Sequence, residues 1–158
     1  MHCLFELLFE ENIVAPIPSN PTLIVDLGTG SGKWAIDVAE DEKTSSAKVI
    51  GIDLSPIQPT DVPENVEFYC EDFIVELHQL DGGRILHESS ADLIHSRMVK
   101  SGVQEWQWDG LVRRVFHFLK PGVGWAQFTE GTSLSWDGDA VHQSSHLYKV
   151  SSLCNEAD

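Results

Sequence analysis

The sequence predicts an α/β domain built on one doubly wound, mostly parallel sheet of about five strands. Three observations carry that prediction. Short apolar runs alternate with helical periodicities along the chain. The first run ends in a glycine-rich turn, Gly28-Thr29-Gly30-Ser31-Gly32. An acid stands at the end of each of the first three runs: Asp26, Asp53 and Asp72. Strands that alternate with helices pair in parallel through right-handed crossovers, and such sheets bury both faces.

The elements follow in order. Met1 to Glu11 reads as a short helix with Leu4, Leu7 and Leu8 on one face. It carries Glu6, has no basic start and offers no small-residue cleavage site, so it is not a signal peptide. Pro16, Pro18 and Pro21 enforce an extended lead-in. Thr22 to Leu27 is a continuous apolar run, the mark of a strand covered on both faces. Lys33 to Glu40 is a helix with Trp34, Ile36, Val38 and Ala39 available for packing. Lys48 to Leu54, Val66 to Cys70 and Ala91 to His95 are the next three strands. Gln104 to Leu119 is a long amphipathic helix, with Leu111, Val112, Val115, Phe116 and Leu119 at helical spacing and Pro121-Gly122 as its stop. Val123 to Phe128 is a fifth strand. In the tail, Asp139 caps a last helix whose inner face is Leu147, Val150 and Cys154. One domain over 1–158 accounts for the whole: a lead-in to residue 21, a core over 22–130 and a tail over 131–158.

Charge and cysteines narrow the function. Lys and Arg total 10 against 25 Asp and Glu, a formal net charge of −15. So acidic a chain repels phosphate backbones and anionic membrane surfaces, leaving a small-molecule or protein partner. Cys3, Cys70 and Cys154 are too far apart for a CxxC metal site. They read as reduced thiols of an intracellular protein, cytoplasmic or nuclear, with Cys70 buried in its strand. His142 and His146 have helical i, i+4 spacing but no third ligand nearby, so no metal is expected. Trp106 and Trp108 divide between surface and core, and Arg113-Arg114 lies on a solvated face. Asp109, His117 and Glu130 are each chemically able to act as a base, and nothing in the sequence selects one.

The glycine loop is where chemistry is expected. Alternate glycines let the backbone turn sharply beside a ligand, and the helix that follows offers N–H groups to it. The spacing is G-x-G-x-G, with Asp26 two residues ahead of Gly28 and Trp34 after Lys33. That fits neither the G-x-G-x-x-G dinucleotide fingerprint nor the P-loop. Asp53 follows Asp26 by 27 positions and ends the neighbouring strand, where a carboxylate reaches a pair of ribose hydroxyls across the carboxyl edge of the sheet. Asp72 ends the third strand, one position further out. Unpaired carboxylates so close together repel, which favours a ligand between them over stability as their reason.

With these residues in place, the chain resembles class I S-adenosylmethionine-dependent methyltransferases, and among them the fungal LaeA-like (TAM-domain) group of secondary metabolism. The similar segments are Val25-Asp-Leu-Gly-Thr-Gly-Ser-Gly-Lys-Trp-Ala-Ile-Asp37, Val49-Ile-Gly-Ile-Asp-Leu-Ser-Pro-Ile-Gln-Pro59, Val62-Pro-Glu-Asn-Val66, Asp92-Leu-Ile-His-Ser-Arg97 and Leu119-Lys-Pro-Gly122. The resemblance implies a Rossmann-like core lacking that family's last two strands, and S-adenosyl-L-methionine as cofactor. By it, Gly28, Gly30 and Gly32 surround the methionyl part, with Thr29, Trp34 and Asp26 beside them. Asp53 holds the ribose, Leu54 flanks the adenine, Asp72 and Phe73 meet its amino edge, and His95 and Ser96 line the floor beneath the sulfonium. Where the family has Gly-Gly after Lys-Pro, this chain has Gly122-Val123-Gly124.

Methyl transfer to a small molecule or protein is the expected activity. The alternative is a shortened, non-catalytic module that binds cofactor or partner. In either case the fifth strand is left as an open edge. Its cover is expected from a second copy, as a two-fold homodimer, or from a different partner, because the tail offers only a thin apolar stripe.

Overall fold

The structure is a computed structural model and describes residues 11–75, 86–131 and 143–149. Six strands form a single sheet in the order β3-β2-β1-β4-β5-β6. They are β1 (Leu23–Leu27), β2 (Lys48–Asp53), β3 (Val66–Cys70), β4 (Leu93–Arg97), β5 (Trp125–Gly131) and β6 (Gln143–Lys149). The first five are mutually parallel, and β6 runs antiparallel to β5. Among the described residues two helices pack against the sheet: α1 (Lys33–Glu40) and α2 (Trp108–Phe118), the second entered through a 3₁₀ turn over Glu105–Gln107.

The parallel α/β core is as the sequence reading had it, and its two apolar layers follow from strand alternation. On one face Val25, Leu27, Ile50, Ile52 and Ile94 meet Leu111, Val115 and Phe118 of α2. On the other, Ile24, Val49 and Leu93 meet Trp34, Ala35 and Val38 of α1. Ala15 of the lead-in joins this second layer. Chain order reverses between β1 and β4: the chain first runs outward through β2 and β3, then returns to lay β4 on the free side of β1. Such a switch point opens a crevice at the carboxyl ends of the strands.

Four expectations are corrected. The tail forms a strand where a helix was expected. Seven residues of β5 pair in register with β6, from Trp125 opposite Lys149 to Gly131 opposite Gln143. The exposed edge of β5 dominates there, because unpaired backbone groups cost more than weak helical patterning returns. That edge is covered within the chain, so neither a second copy nor another partner is required at it. Cys70, expected to be buried, is exposed. It ends the outermost strand β3 and donates from Sγ to the Leu54 carbonyl at 3.3 Å. Arg114, expected on a solvated face, turns inward and donates to the Ile74 carbonyl.

His146 lies on β6, which removes the helical spacing from His142; His142 itself, the N-terminal helix, Cys3 and Cys154 fall outside the described residues. Trp106 is 79% exposed, whereas Trp108 packs edge-on against Phe128 at 6.2 Å between ring centroids.

Candidate functional site

The loop between β1 and α1 stands at the switch point. Gly28 adopts a φ of +75°, and a Cβ there would meet Val99 Cγ1 at 2.5 Å, so only glycine fits. The loop's amide groups were expected to face a ligand. Several instead bind the end of β2: Gly28 and Thr29 donate to the Ile52 carbonyl at 2.8 and 3.1 Å, and Gly30 donates to Asp53 Oδ2 at 2.8 Å. Gln58 takes the other backbone group of the same residue, donating from Nε2 to the Gly30 carbonyl at 2.5 Å and to the Ser55 carbonyl at 2.9 Å. Asp53 and Gln58 thus hold one residue of the loop by both its backbone groups. Sequence reasoning missed Gln58, although it lies in the Asp53-Leu-Ser-Pro-Ile-Gln58 segment singled out there.

The three strand-end acids each have partners within the protein, which corrects their reading as unpaired. Asp26 Oδ1 lies 2.7 Å from His95 Nδ1, with both side chains buried. Asp53 accepts from Gly30 and, through Oδ1, from the Ser55 amide at 2.9 Å. Asp72 Oδ1 accepts from the Ile74 amide at 2.8 Å, so it acts as a turn cap. His95 stacks on Trp34 with 3.7 Å between ring centroids and 10° between planes. Burial drives the His95 pKa below its usual 6.5, against the opposing pull of Asp26 and with a smaller push in the same direction from Arg97. The ring is therefore neutral, and facing a carboxylate its proton sits on Nδ1.

A crevice of about 220 Å³ opens beside this pair. Asp26, Gly28, Thr29, Gly30, Trp34 and His95 border it, together with Ser31, Lys33, Arg97 and Met98, which the sequence reading did not single out. Gly32, Asp53, Leu54, Asp72, Phe73 and Ser96 do not border it. Of these, Asp53 stays attached through Gly30, Leu54 next to it in the chain is 63% exposed, and Ile57 further along is 64% exposed. Phe73 is buried in the core, and Ser96 points to the opposite face, donating to the Leu27 carbonyl at 3.0 Å. A larger cavity of about 560 Å³ lies between the lead-in and α1, lined by Ile13, Pro16, Ile17 and Val38 and remote from the strand-end acids.

The three candidate bases are all engaged. Asp109 pairs with Arg113 at 3.0 Å and His117 with Glu88 at 3.0 Å. Glu130 Oε1 accepts from the Val99 and Lys100 amides at 2.9 and 3.1 Å, fixing the turn after β4. Among the described residues no cluster of three metal-ligating side chains occurs, and no helix is long and apolar enough to cross a membrane.

Comparison with known proteins points in one direction. The family description "Methyltransferase domain" matches residues 24–122. The secondary metabolism regulator LAE1 of Cochliobolus heterostrophus is 40% identical over 119 residues, covering 73% of this chain and 36% of that protein. The protein-methionine methyltransferase laeA of Emericella nidulans is 41% identical over 118 residues, covering 75% and 29%. This chain thus spans about a third of the length of the curated relatives it matches. Among solved structures, phosphoethanolamine N-methyltransferase 2 of Haemonchus contortus, in complex with S-adenosyl-L-methionine, superposes with a TM-score of 0.56. It is 20% identical, over 78% of this chain and 28% of that one, a likeness of fold.

Proposed function

The chain belongs to the methyltransferase-domain family, and on that premise we propose that it binds S-adenosylmethionine and transfers its methyl group to a protein or small-molecule acceptor. The observation that carries this reading is the meeting of the glycine loop, Asp26 and His95 at one crevice at the switch point, with Asp53 holding that loop at Gly30.

The residues present fit the cofactor. Gly30 borders the crevice, and a Cβ built on it would meet no protein atom within 4 Å, so there is room for a ligand. Thr29 Oγ1 is buried with no hydrogen-bond partner among the described residues, an orphan that a ligand can satisfy. Asp26 supplies a carboxylate for an ammonium, and Lys33, itself paired with Asp37, and Arg97 border the same crevice as cations for a carboxylate. The crevice is smaller than the roughly 300–1,000 Å³ of sites that enclose a drug-sized ligand. It would accommodate the methionyl end, and Asp53 with the exposed Leu54 and Ile57 would hold the nucleoside.

When bound, the cofactor supplies an electrophilic methyl group on a sulfonium. The protein's task is then to position, since displacement at such a carbon needs proton transfer only when the acceptor must lose a proton. Trp34 and the buried Asp26–His95 pair exclude water from one wall, and the Asp53–Gly30–Gln58 clasp fixes the loop. A protein acceptor is the favoured class, because a relative 41% identical is named a protein-methionine methyltransferase and a chain of net charge −15 is ill suited to nucleic acid.

Calorimetry with S-adenosylhomocysteine tests the reading. The expected dissociation constant is micromolar, about −8 kcal/mol. Asp53→Ala is expected to weaken binding by about 1–3 kcal/mol, the worth of hydrogen bonds to a charged group. No binding by the wild type, or tighter binding of NAD, would defeat it.

A further inference from the structure

Polar side chains are scarce inside parallel sheets, yet here three stand side by side on three adjacent strands. Asp26 is in register with His95, and His95 with Gln127, all on the α1 face of the sheet. On β2 the same row continues as Gly51, where the Phe68 ring lies close over the backbone. All three polar residues are buried. Burying polar groups in this way is costly unless each is bonded, and each is.

The row is closed from outside by the lead-in. Gln127 Oε1 accepts from the Val14 and Ala15 amides at 3.0 and 3.1 Å, and Gln127 Nε2 donates to the Asn12 carbonyl at 3.4 Å. Trp34 Nε1 donates to the same Asn12 carbonyl at 3.2 Å. His95 is therefore confined by Trp34 stacked on its ring, by Asp26 at Nδ1 and by Gln127 and the lead-in at its side. Asp26 and His95 both border the crevice, and the orientation of the Asp26 carboxylate there is a property of the ring that holds it.

We infer that His95 is a positioning residue for the methyl-donor site, holding the Asp26 carboxylate in place through its Nδ1–H so that the carboxylate meets the ligand's ammonium already oriented. This rests on the reading of the crevice given under Proposed function. A carboxylate with free rotation would have to be ordered by each ligand that arrives, and preorganisation removes that cost. The role belongs to one nitrogen of the ring, which makes it separable from bulk. An asparagine places its amide nitrogen as far along the side chain as Nδ1, whereas a glutamine places its own one bond further out.

The experiment measures S-adenosylhomocysteine and adenosine binding by the wild type, His95→Asn and His95→Gln, with adenosine serving as the probe that lacks the methionyl end. His95→Asn is expected to keep homocysteine-conjugate affinity within about threefold. His95→Gln is expected to lose roughly tenfold or more, about the worth of one charge-assisted hydrogen bond, with adenosine binding unchanged. Equal affinity of the wild type and both variants overturns the inference, as does a loss shared equally by the two ligands, which would show a merely structural role. Nitrogen-15 NMR of the wild type needs no variant: a proton on Nδ1 supports the inference, and a proton on Nε2 alone overturns it. A wild type that binds neither ligand overturns the function reading first and the inference with it.

Discussion

Asp92 carries the largest concentration of bonds on any single carboxylate described here. It is 2% exposed and accepts from the Thr22 amide at 2.7 Å, the Thr22 hydroxyl and the Leu23 amide at 3.0 Å, and Lys120 Nζ at 2.8 Å. Burial alone pushes its pKa up, but the Lys120 ammonium and the Thr22 and Leu23 donors together outweigh it and hold the carboxyl below the usual 3.8. A carboxyl lowered by folding adds stability that is present above the ordinary value and is lost as pH falls through the lowered one. Asp92→Asn is therefore expected to cost about 2–3 kcal/mol at pH 7, less than a fully buried pair because Lys120 is partly exposed. In urea unfolding from pH 7 to 2, the gap between wild type and variant is expected to stay level and then close below about pH 3.8. A gap that persists unchanged to pH 2 would show that the charge is not the cause. This bond also explains two segments that the sequence reading had matched separately. Asp92-Leu-Ile-His-Ser-Arg97 and Leu119-Lys-Pro-Gly122 are joined by it across 28 positions. The residue types were legible in the sequence; the pairing was not, because nothing in a linear pattern states which distant donor a buried acid will find. Gln58, and the hold of Glu130 on the turn after β4, escaped for the same reason, since both act on the backbone of other segments.

Elements were legible where one period or one turn signal dominates. Lys33–Glu40 has the bounds that its apolar spacing predicts, and the parallel strands match to within a few residues. The predicted single helix over 104–119 begins instead as a 3₁₀ turn, in which the Gln104 and Gln107 side chains cap each other's backbone. The turn before β5 shows how an apparent departure from a family pattern is accommodated. Gly122 has a φ of +76°, so its position calls for glycine. At Gly124 a Cβ would meet Lys120 N at 2.7 Å, Lys120 O at 2.9 Å and Ala91 O at 3.0 Å, all of them backbone atoms that cannot swing aside. Val123 between them is half exposed, so that site tolerates a side chain. Gly124→Ala is accordingly expected to destabilise by about 1–3 kcal/mol through overpacking, and Val123→Gly by less than about 1 kcal/mol. Thermal unfolding of the two variants side by side checks the order, and a more harmful Val123→Gly would refute the account.

At the scale of the whole molecule, the question is how a strongly acidic chain manages a sheet edge that is sticky by sequence. β5 reads Trp125-Ala-Gln-Phe-Thr-Glu-Gly131, with no charge until its sixth residue. In the sequence it looked open, and the tail's apolar stripe looked too thin to cover it. That reasoning counted side chains and a helix, whereas the cover is a backbone ladder. Seven positions of β6 pair with seven of β5, and the edge's N–H and C=O groups are met in a way that demands little of the tail's side chains. Backbone pairing is nearly blind to sequence, which is why side-chain pattern failed to announce it. Two forces then oppose self-association through this edge: the ladder fills it, and a formal net charge of −15 repels a second copy. Light scattering at about 50 µM and moderate salt, with the charge only partly screened at roughly 10 Å, is expected to find the 158-residue chain monomeric. A chain ending at Gly131 uncovers the ladder and is expected to associate, more strongly as salt rises and the repulsion is screened. The two chain lengths separate the causes. If the full chain associates as strongly as the shortened one, β6 does not protect the edge. If the shortened chain stays monomeric even at high salt, the edge was never the hazard that its apolar sequence suggests, and charge alone keeps the copies apart.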